Sequence, residues 1–230
     1  MIIVCGGIKG GEGKSTLAVN LSLARHLAGR DVLLIDADEQ ASAADFMELR
    51  EQLHPDRPTP ITIKLSGEAV RTETLKLAKR HDDIIIDVGG RDTTSQRAAL
   101  TVADLFIIPV VPGAFDAWVL DRVDTLVSEI KTVNPDLPAY VFLSMVHPND
   151  PDAKDVLEYI MELDNLSILL PSFAAPASKA LALGSRVAFK RAQAKGLSIG
   201  ETTSAKEEPA RQEMAALFHA IERATNTPEK

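Results

Sequence analysis

Lys9-Gly10-Gly11-Glu12-Gly13-Lys14-Ser15 lies between an apolar run, Met1 to Cys5, and a helical pattern that starts near Ser15. Strand, glycine-rich loop and helix, in that order, are the setting of a phosphate-binding loop. The three glycines let successive backbone N–H groups turn toward phosphate oxygens without obstruction by a Cβ. The helix behind them adds its positive dipole end and its unpaired N–H groups. Lys14 brings a full charge to the β/γ phosphates, and the Ser15 hydroxyl is a candidate ligand for Mg²⁺. Gly10, Gly11, Glu12, Gly13 and Thr16 complete the expected nucleotide contacts on the loop and the first helical turn.

Outward from this loop, apolar runs alternate with helical patterns. Strands are expected at 2–5, 32–35, 61–64, 84–87, 105–109, 140–144 and 166–170, and helices at 15–27, 42–51, 68–79, 94–102, 117–133 and 152–163. Several strands are apolar throughout, as strands covered on both faces are. This βαβα rhythm predicts an α/β fold with a doubly wound, mostly parallel sheet flanked by helices. Right-handed crossovers then gather the loops after the strand C-termini on one edge. After Leu170 the rhythm stops, and 177–196 and 205–224 read as two C-terminal helices separated by a glycine-containing turn and a polar segment with Pro209. A single domain over 1–224 with a frayed polar tail at 225–230 is expected.

The 230 residues carry 45% hydrophobic and 25% charged side chains, the make-up of an ordinary globular domain. No apolar stretch approaches the roughly 18 residues of a membrane span, and the N-terminus reads as the first core strand rather than as a leader. The single cysteine, Cys5, cannot form an internal disulfide, which fits a reducing, cytoplasmic setting. Nor can it supply a Cys-x-x-Cys metal pair. A net charge of −8 argues against a bulk nucleic-acid binder, so any DNA contact must come from local clustering.

Two further carboxylate motifs fall on the same sheet edge. The second strand ends in Ile35-Asp36-Ala37-Asp38-Glu39-Gln40, which offers one carboxylate to Mg²⁺ through water and another to the attacking water. The fourth ends in Ile84-Ile85-Ile86-Asp87-Val88-Gly89-Gly90, where Asp87 is placed to act on Mg²⁺. Glycines 89 and 90 allow the backbone to swing, and Arg91 and Asp92 are candidates for contact with a second protomer.

Position 8 is Ile where the general phosphate loop starts with Gly, and the loop carries a second lysine, Lys9. This Lys-Gly-Gly-x-Gly-Lys-Ser/Thr form is the deviant Walker A loop, and with it the chain resembles the ParA/MinD family of P-loop ATPases. The resemblance runs from Met1 to about Ile221. It is closest to the short ParA-type partition ATPases without an N-terminal helix-turn-helix, so operator recognition is not expected. It implies ATP and Mg²⁺ as cofactors. It makes 36–40 switch I, with Glu39 in place of the usual proline, and 87–90 switch II. By the same resemblance Asp38 is the hydrolysis-critical aspartate, Asp36 lies near the metal, and Lys9 reaches the partner's nucleotide in an ATP-bound sandwich dimer. The adenine pocket is expected at the ends of the last strands, where Met145, Pro171 and Phe173 are candidates. ATP rather than GTP rests on the resemblance, supported by the lack of an Asn-Lys-x-Asp motif.

Between Asp164 and Glu201 the chain carries Lys179, Arg186, Lys190, Arg191 and Lys195 and no acidic residue. With 186, 190 and 191 on one helical face, this is a candidate surface for nonspecific double-stranded DNA. The resemblance is carried here too, by Arg-x-Ala-Phe and then Gly196-x-Ser198-x-x-Glu201. It implies ATP-dependent DNA binding on the nucleoid and hydrolysis stimulated by a ParB-like centromere-binding protein or cargo adaptor, for plasmid or chromosome partition. The same machinery can space protein cargo such as carboxysomes or chemoreceptor clusters.

Two other readings compete. A MinD-like membrane site regulator needs a C-terminal amphipathic helix; Met214, Leu217, Phe218 and Ile221 form an apolar stripe, but the little basic charge near the end favours a core-facing helix. A dethiobiotin synthetase-like metabolic enzyme has a similar size but lacks the Lys-Gly-Gly loop. Trp118, just after the fifth strand, is expected to pack inward or line an interface.

Overall fold

The computed structural model describes residues 1–113, 116–148, 150–172, 175–176 and 180–226, the side chains at 116, 117 and 226 excepted. Seven strands follow the predicted rhythm: β1 (Ile2–Cys5), β2 (Val32–Asp36), β3 (Ile61–Lys64), β4 (Asp83–Asp87), β5 (Leu105–Val110), β6 (Ala139–Val146) and β7 (Ser167–Ile168). An eighth, β8 (Ala182–Gly184), comes after them. The helices are α1 (Lys14–Leu27), α2 (Ser42–Leu53), α3 (Ala69–Leu77), α4 (Thr94–Leu100), α5 (Asp116–Ile130), α6 (Asp152–Ile160), α7 (Val187–Gln193) and α8 (Glu208–Asn226). Every strand pairing is parallel, and the order across the sheet is β3-β2-β4-β1-β5-β6-β7.

Strands with both faces covered must be apolar at every position, and β1, β2, β4 and β5 are buried at every residue. Their side chains divide with period two. Ile2, Val4, Ile84, Ile86, Phe106 and Ile108 enter one core with α3 to α6. Ile3, Cys5, Ile85, Leu105 and Ile107 enter the other with α1, α2, α7 and α8. The polar exceptions are Asp36 and Asp87, which end β2 and β4 at the site, and Asp83, which opens β4 fully buried, held by Arg25 (3.0 Å) and Arg30.

The C-terminal region differs from expectation. The stretch 177–196 is not one helix: Ala182–Gly184 is a strand, helix begins only at Val187, and 177–179 lie outside the described residues. The cause is the length of β6. Its first half pairs with β7 through Tyr140 and Val141, which leaves its second half an unpaired edge; β8 fills that edge at Leu143 and Val146. Arg186 consequently sits in extended backbone (φ −120°, ψ 132°) before α7 and does not share a helical face with Lys190 and Arg191. Pro209 lies in the first turn of α8, where a missing N–H costs nothing. The helix runs to Asn226, two residues beyond the expected end of the domain.

The apolar stripe of α8 faces the core. Met214, Leu217 and Ile221 are buried, and Phe218 packs against the same cluster. Among the described residues no helix is long and apolar enough to cross a membrane.

Candidate nucleotide-binding site

The three motifs leave three neighbouring strands. In register Asp87 stands between Cys5 on one side and Asp36 on the other, so the loops after β1, β2 and β4 leave the sheet side by side. Gly13 caps α1 with φ +95°, a left-handed geometry that only glycine adopts without strain. Lys14 then starts α1, 6% exposed, and its Nζ donates to the Lys9 carbonyl at 2.6 Å. Burial lowers the Lys14 pKa, and the carboxylates of Glu12, Asp87 and Asp38 oppose that shift. The ammonium thus already sits among the acidic groups of the site. Lys9 is half exposed and lies 3.9 Å from Glu12 within its own loop.

The turn after β2, expected as switch I, is held by its own backbone. Asp36 is buried and accepts from the N–H groups of Asp38 (3.1 Å) and Ala44 (2.8 Å), so it caps the N-terminus of α2. Burial raises its pKa, and those N–H donors work against the rise. With its oxygens so engaged, Asp36 shapes the turn that follows β2. Asp38 accepts from Gln40 N–H at 3.1 Å, and its carboxylate packs on switch II; a Cβ at Gly89 would lie 3.1 Å from Asp38 Oδ1.

The segment after β4, expected as switch II, packs on the glycine loop in turn. A Cβ at Gly90 would meet Gly10 Cα and N at 2.7 Å and the Lys9 carbonyl carbon at 2.8 Å, so only glycine permits this contact. Gln96, which sequence reasoning missed, locks the arrangement. It is fully buried in α4, and with its amide nitrogen turned toward the three carbonyls around it, it donates to Gly7 (3.0 Å), Gly89 (3.3 Å) and Arg91 (3.2 Å). Asp92 is taken by a two-point pair with Arg97 at 2.7 Å, while Arg91 is exposed.

Asp87 is the most perturbed group of the site. Burial, and then the charges of Asp36 and Asp38, push its pKa up to about 8, against relief from Ser15 and Lys14. Ser15 faces it short of ordinary hydrogen-bond geometry, and neither carboxylate oxygen has a hydrogen-bond partner among the described residues. Leaving a buried carboxylate orphaned is costly, and a cation is the natural partner for it. Among the described residues no group of three or more His, Cys, Asp or Glu could hold a metal. The orphaned carboxylate of Asp87 beside the Ser15 hydroxyl fits a Mg²⁺, which these two residues would hold.

Of the adenine candidates, Met145 lies at the loop. It has φ +54°, unusual for a non-glycine residue, and its Cε is 3.8 Å from a Cβ built on Gly13. Such geometry concentrates at functional positions. Pro171 is exposed after β7, and Phe173 lies outside the described residues. Thr16 is half buried in the first turn of α1.

The basic residues do not form one group. Lys190, Arg191 and Lys195 are exposed on and just after α7 and make no ion pair among the described residues. Arg186 is instead neutralised by Glu213 of α8, through Nε at 3.0 Å and through Nη2. Lys179 lies outside the described residues. Trp118, in the first turn of α5, is 76% exposed rather than packed inward.

Residues 2–199 match the family model described as the CobQ/CobB/MinD/ParA nucleotide binding domain. A ParA protein of Rhizobium radiobacter is 27% identical over 152 residues; the match covers 64% of this chain, and the chain spans 65% of that relative's length. Among solved structures, a putative plasmid partition protein of Borrelia burgdorferi bound to AMPPNP superposes with TM-score 0.71 at 20% identity, covering 97% of this chain and 99% of that one. The ATP complex of Cyanothece McdA gives TM-score 0.71 at 16% identity, with 96% of each chain covered. With its deviant phosphate loop and its parallel sheet, the chain belongs to the CobQ/CobB/MinD/ParA nucleotide-binding family.

Proposed function

We propose that this chain is a ParA-like ATPase whose ATP-bound dimer binds DNA nonspecifically and lets go on hydrolysis. The observation that carries the reading is the packing of Asp38 on Gly89 and of Gly90 on Gly10, which joins both switches to the phosphate loop. Any change at the γ-phosphate is felt by all three at once. Loop N–H groups and Lys14 would hold the phosphates, Asp38 would orient the attacking water, and Ser15 and Asp87 would hold the cation. Bound Mg²⁺ would neutralise phosphate charge. Lys9 would exchange its own-loop partner Glu12 for the nucleotide of a second protomer.

The output surface is α7. Lys190, Arg191 and Lys195 stand without an ion pair among the described residues, on a chain of charge −8, and a dimer doubles them. A ParB-like adaptor on a plasmid, chromosome or protein cargo would stimulate hydrolysis, and the ATP form would reside on the nucleoid. A membrane regulator is disfavoured because the α8 stripe is core.

The test is Lys9→Ala. It should retain ATP binding but lose the ATP-dependent shift to dimer in size-exclusion chromatography, and with it turnover. An unchanged ATP-dependent dimer overturns the reading.

A further inference from the structure

Gly196-Leu197-Ser198-Ile199-Gly200-Glu201, which follows the basic α7 after two residues, is tied to both helices that start at the nucleotide site. On α1, Asn20 Oδ1 accepts from Ile199 N–H at 2.7 Å while its Nδ2 donates to the Thr16 carbonyl at 2.7 Å. On α2, Arg50 is fully buried. Its Nη1 donates to the Gly196 carbonyl (3.0 Å) and Glu201 Oε2 (2.8 Å), and its Nη2 to Glu201 Oε1 (2.8 Å) and the Pro58 carbonyl (3.2 Å). Glu201 also accepts from Ser198 N–H (3.0 Å) and Oγ (2.8 Å). A Cβ at Gly196 would lie 3.0 Å from Arg50 Cα, and His54 Nε2 is 2.8 Å from the Lys195 carbonyl.

A buried ion pair is seldom the most stable filling for its volume; its known uses are register and switching. Here it stands at one end of α2, a rod of about 18 Å at 1.5 Å per residue. At the other end Asp36 caps α2 through Ala44 N–H, next to Asp38. Packing between α7 and the nucleotide helices is incomplete, since a small cavity lined by Thr16, Phe46, Phe189, Gln193 and Ile199 opens there. Alongside the apolar core that α1, α2 and α7 share, the polar tie gives a directional link between α2 and the segment after α7.

We infer that Arg50 and Glu201 are positioning residues that transmit the nucleotide state of switch I, through α2, to the basic surface on α7. The inference rests on the nucleotide-switch reading, but not on DNA as the matrix.

The experiment is hydrogen–deuterium exchange of the whole chain with and without Mg²⁺–AMPPNP. The double variant Arg50→Met/Glu201→Gln removes both buried charges and leaves only the half-exposed Arg57, which also pairs with Glu201 at 3.0 Å, without its ionic partner; the amide oxygen that replaces the carboxylate can still accept from Ser198. In the wild type, AMPPNP is expected to slow exchange in 38–44 and in 187–201, each by about threefold or more. In the variant the response at 38–44 stays and that at 187–201 is lost. Glu201→Asp, which keeps the charge and shortens the strut, should show the same selective loss. A response at 187–201 that survives in either folded variant, or that is missing from the wild type while 38–44 responds, overturns the inference. No response anywhere in the wild type overturns the nucleotide-switch reading along with it.

Discussion

Asp87→Asn tests whether the site is built around a carboxylate that awaits a cation. In the nucleotide-free protein its pKa lies at about 8, against 3.8 for a free aspartate. The folded value is the higher, so between about pH 4 and pH 8 the native state binds more protons than the unfolded chain, and stability falls as pH rises. One pKa unit is about 1.4 kcal/mol, so a fully ionised Asp87 costs the apo protein on the order of 5 kcal/mol, less whatever local relaxation recovers. Asn does not titrate. Urea unfolding of both proteins at pH 5, 6, 7 and 8 should show the stability gap moving in favour of Asn by up to about 4 kcal/mol across the series. Any fixed cost of the amide cancels, because the slope is what is read. With Mg²⁺–ATP present the wild-type slope should flatten, since the cation holds Asp87 ionised and the proton is released on binding. Parallel apo curves for the two proteins would refute the argument.

Gly90→Ala should fold yet lose tenfold or more in turnover, because its Cβ would meet Gly10 backbone at 2.7 Å; Gly10→Ala, with nothing within 4 Å of its Cβ, should leave thermal stability within about 0.5 kcal/mol. Gln96→Leu deprives the Gly7, Gly89 and Arg91 carbonyls of a donor and should cost about 1–3 kcal/mol in denaturant unfolding; no change would mean that the amide does not hold the two loops together. Replacing Lys190, Arg191 and Lys195 by Ala should lower the salt slope of DNA binding by the dimer by up to about 5, whereas Arg186→Ala should leave the slope alone and lower stability by freeing Glu213.

The nucleotide site was legible because its parts are local. Glycines, lysines and strand-terminal aspartates declare themselves within short runs of sequence, and the βαβ rule carries them to one edge. What escaped depends on partners far along the chain. Gln96 reads as an ordinary polar helix residue until the Gly7 and Gly89 carbonyls are brought over it. Arg50 reads as a surface arginine, and Glu201, 151 residues away, is what makes it a buried strut. Arg186 reads as free positive charge until Glu213 neutralises it from α8. Ala182-Leu183-Gly184 has no β-branched residue and continues an alanine-rich helical pattern; only the bare second half of β6 makes it a strand. The Gly-x-Ser-x-x-Glu run is plain in the sequence, but its buried partner, Arg50, lies on α2.

The central claim is that ATP switches this chain onto DNA. Fluorescence anisotropy of a random-sequence duplex, with the protein in ATP, in ADP and without nucleotide at low and moderate salt, tests it most directly. The account predicts binding in ATP alone, weakening steeply as salt rises. Equal binding in all three states, or none in any, would contradict it.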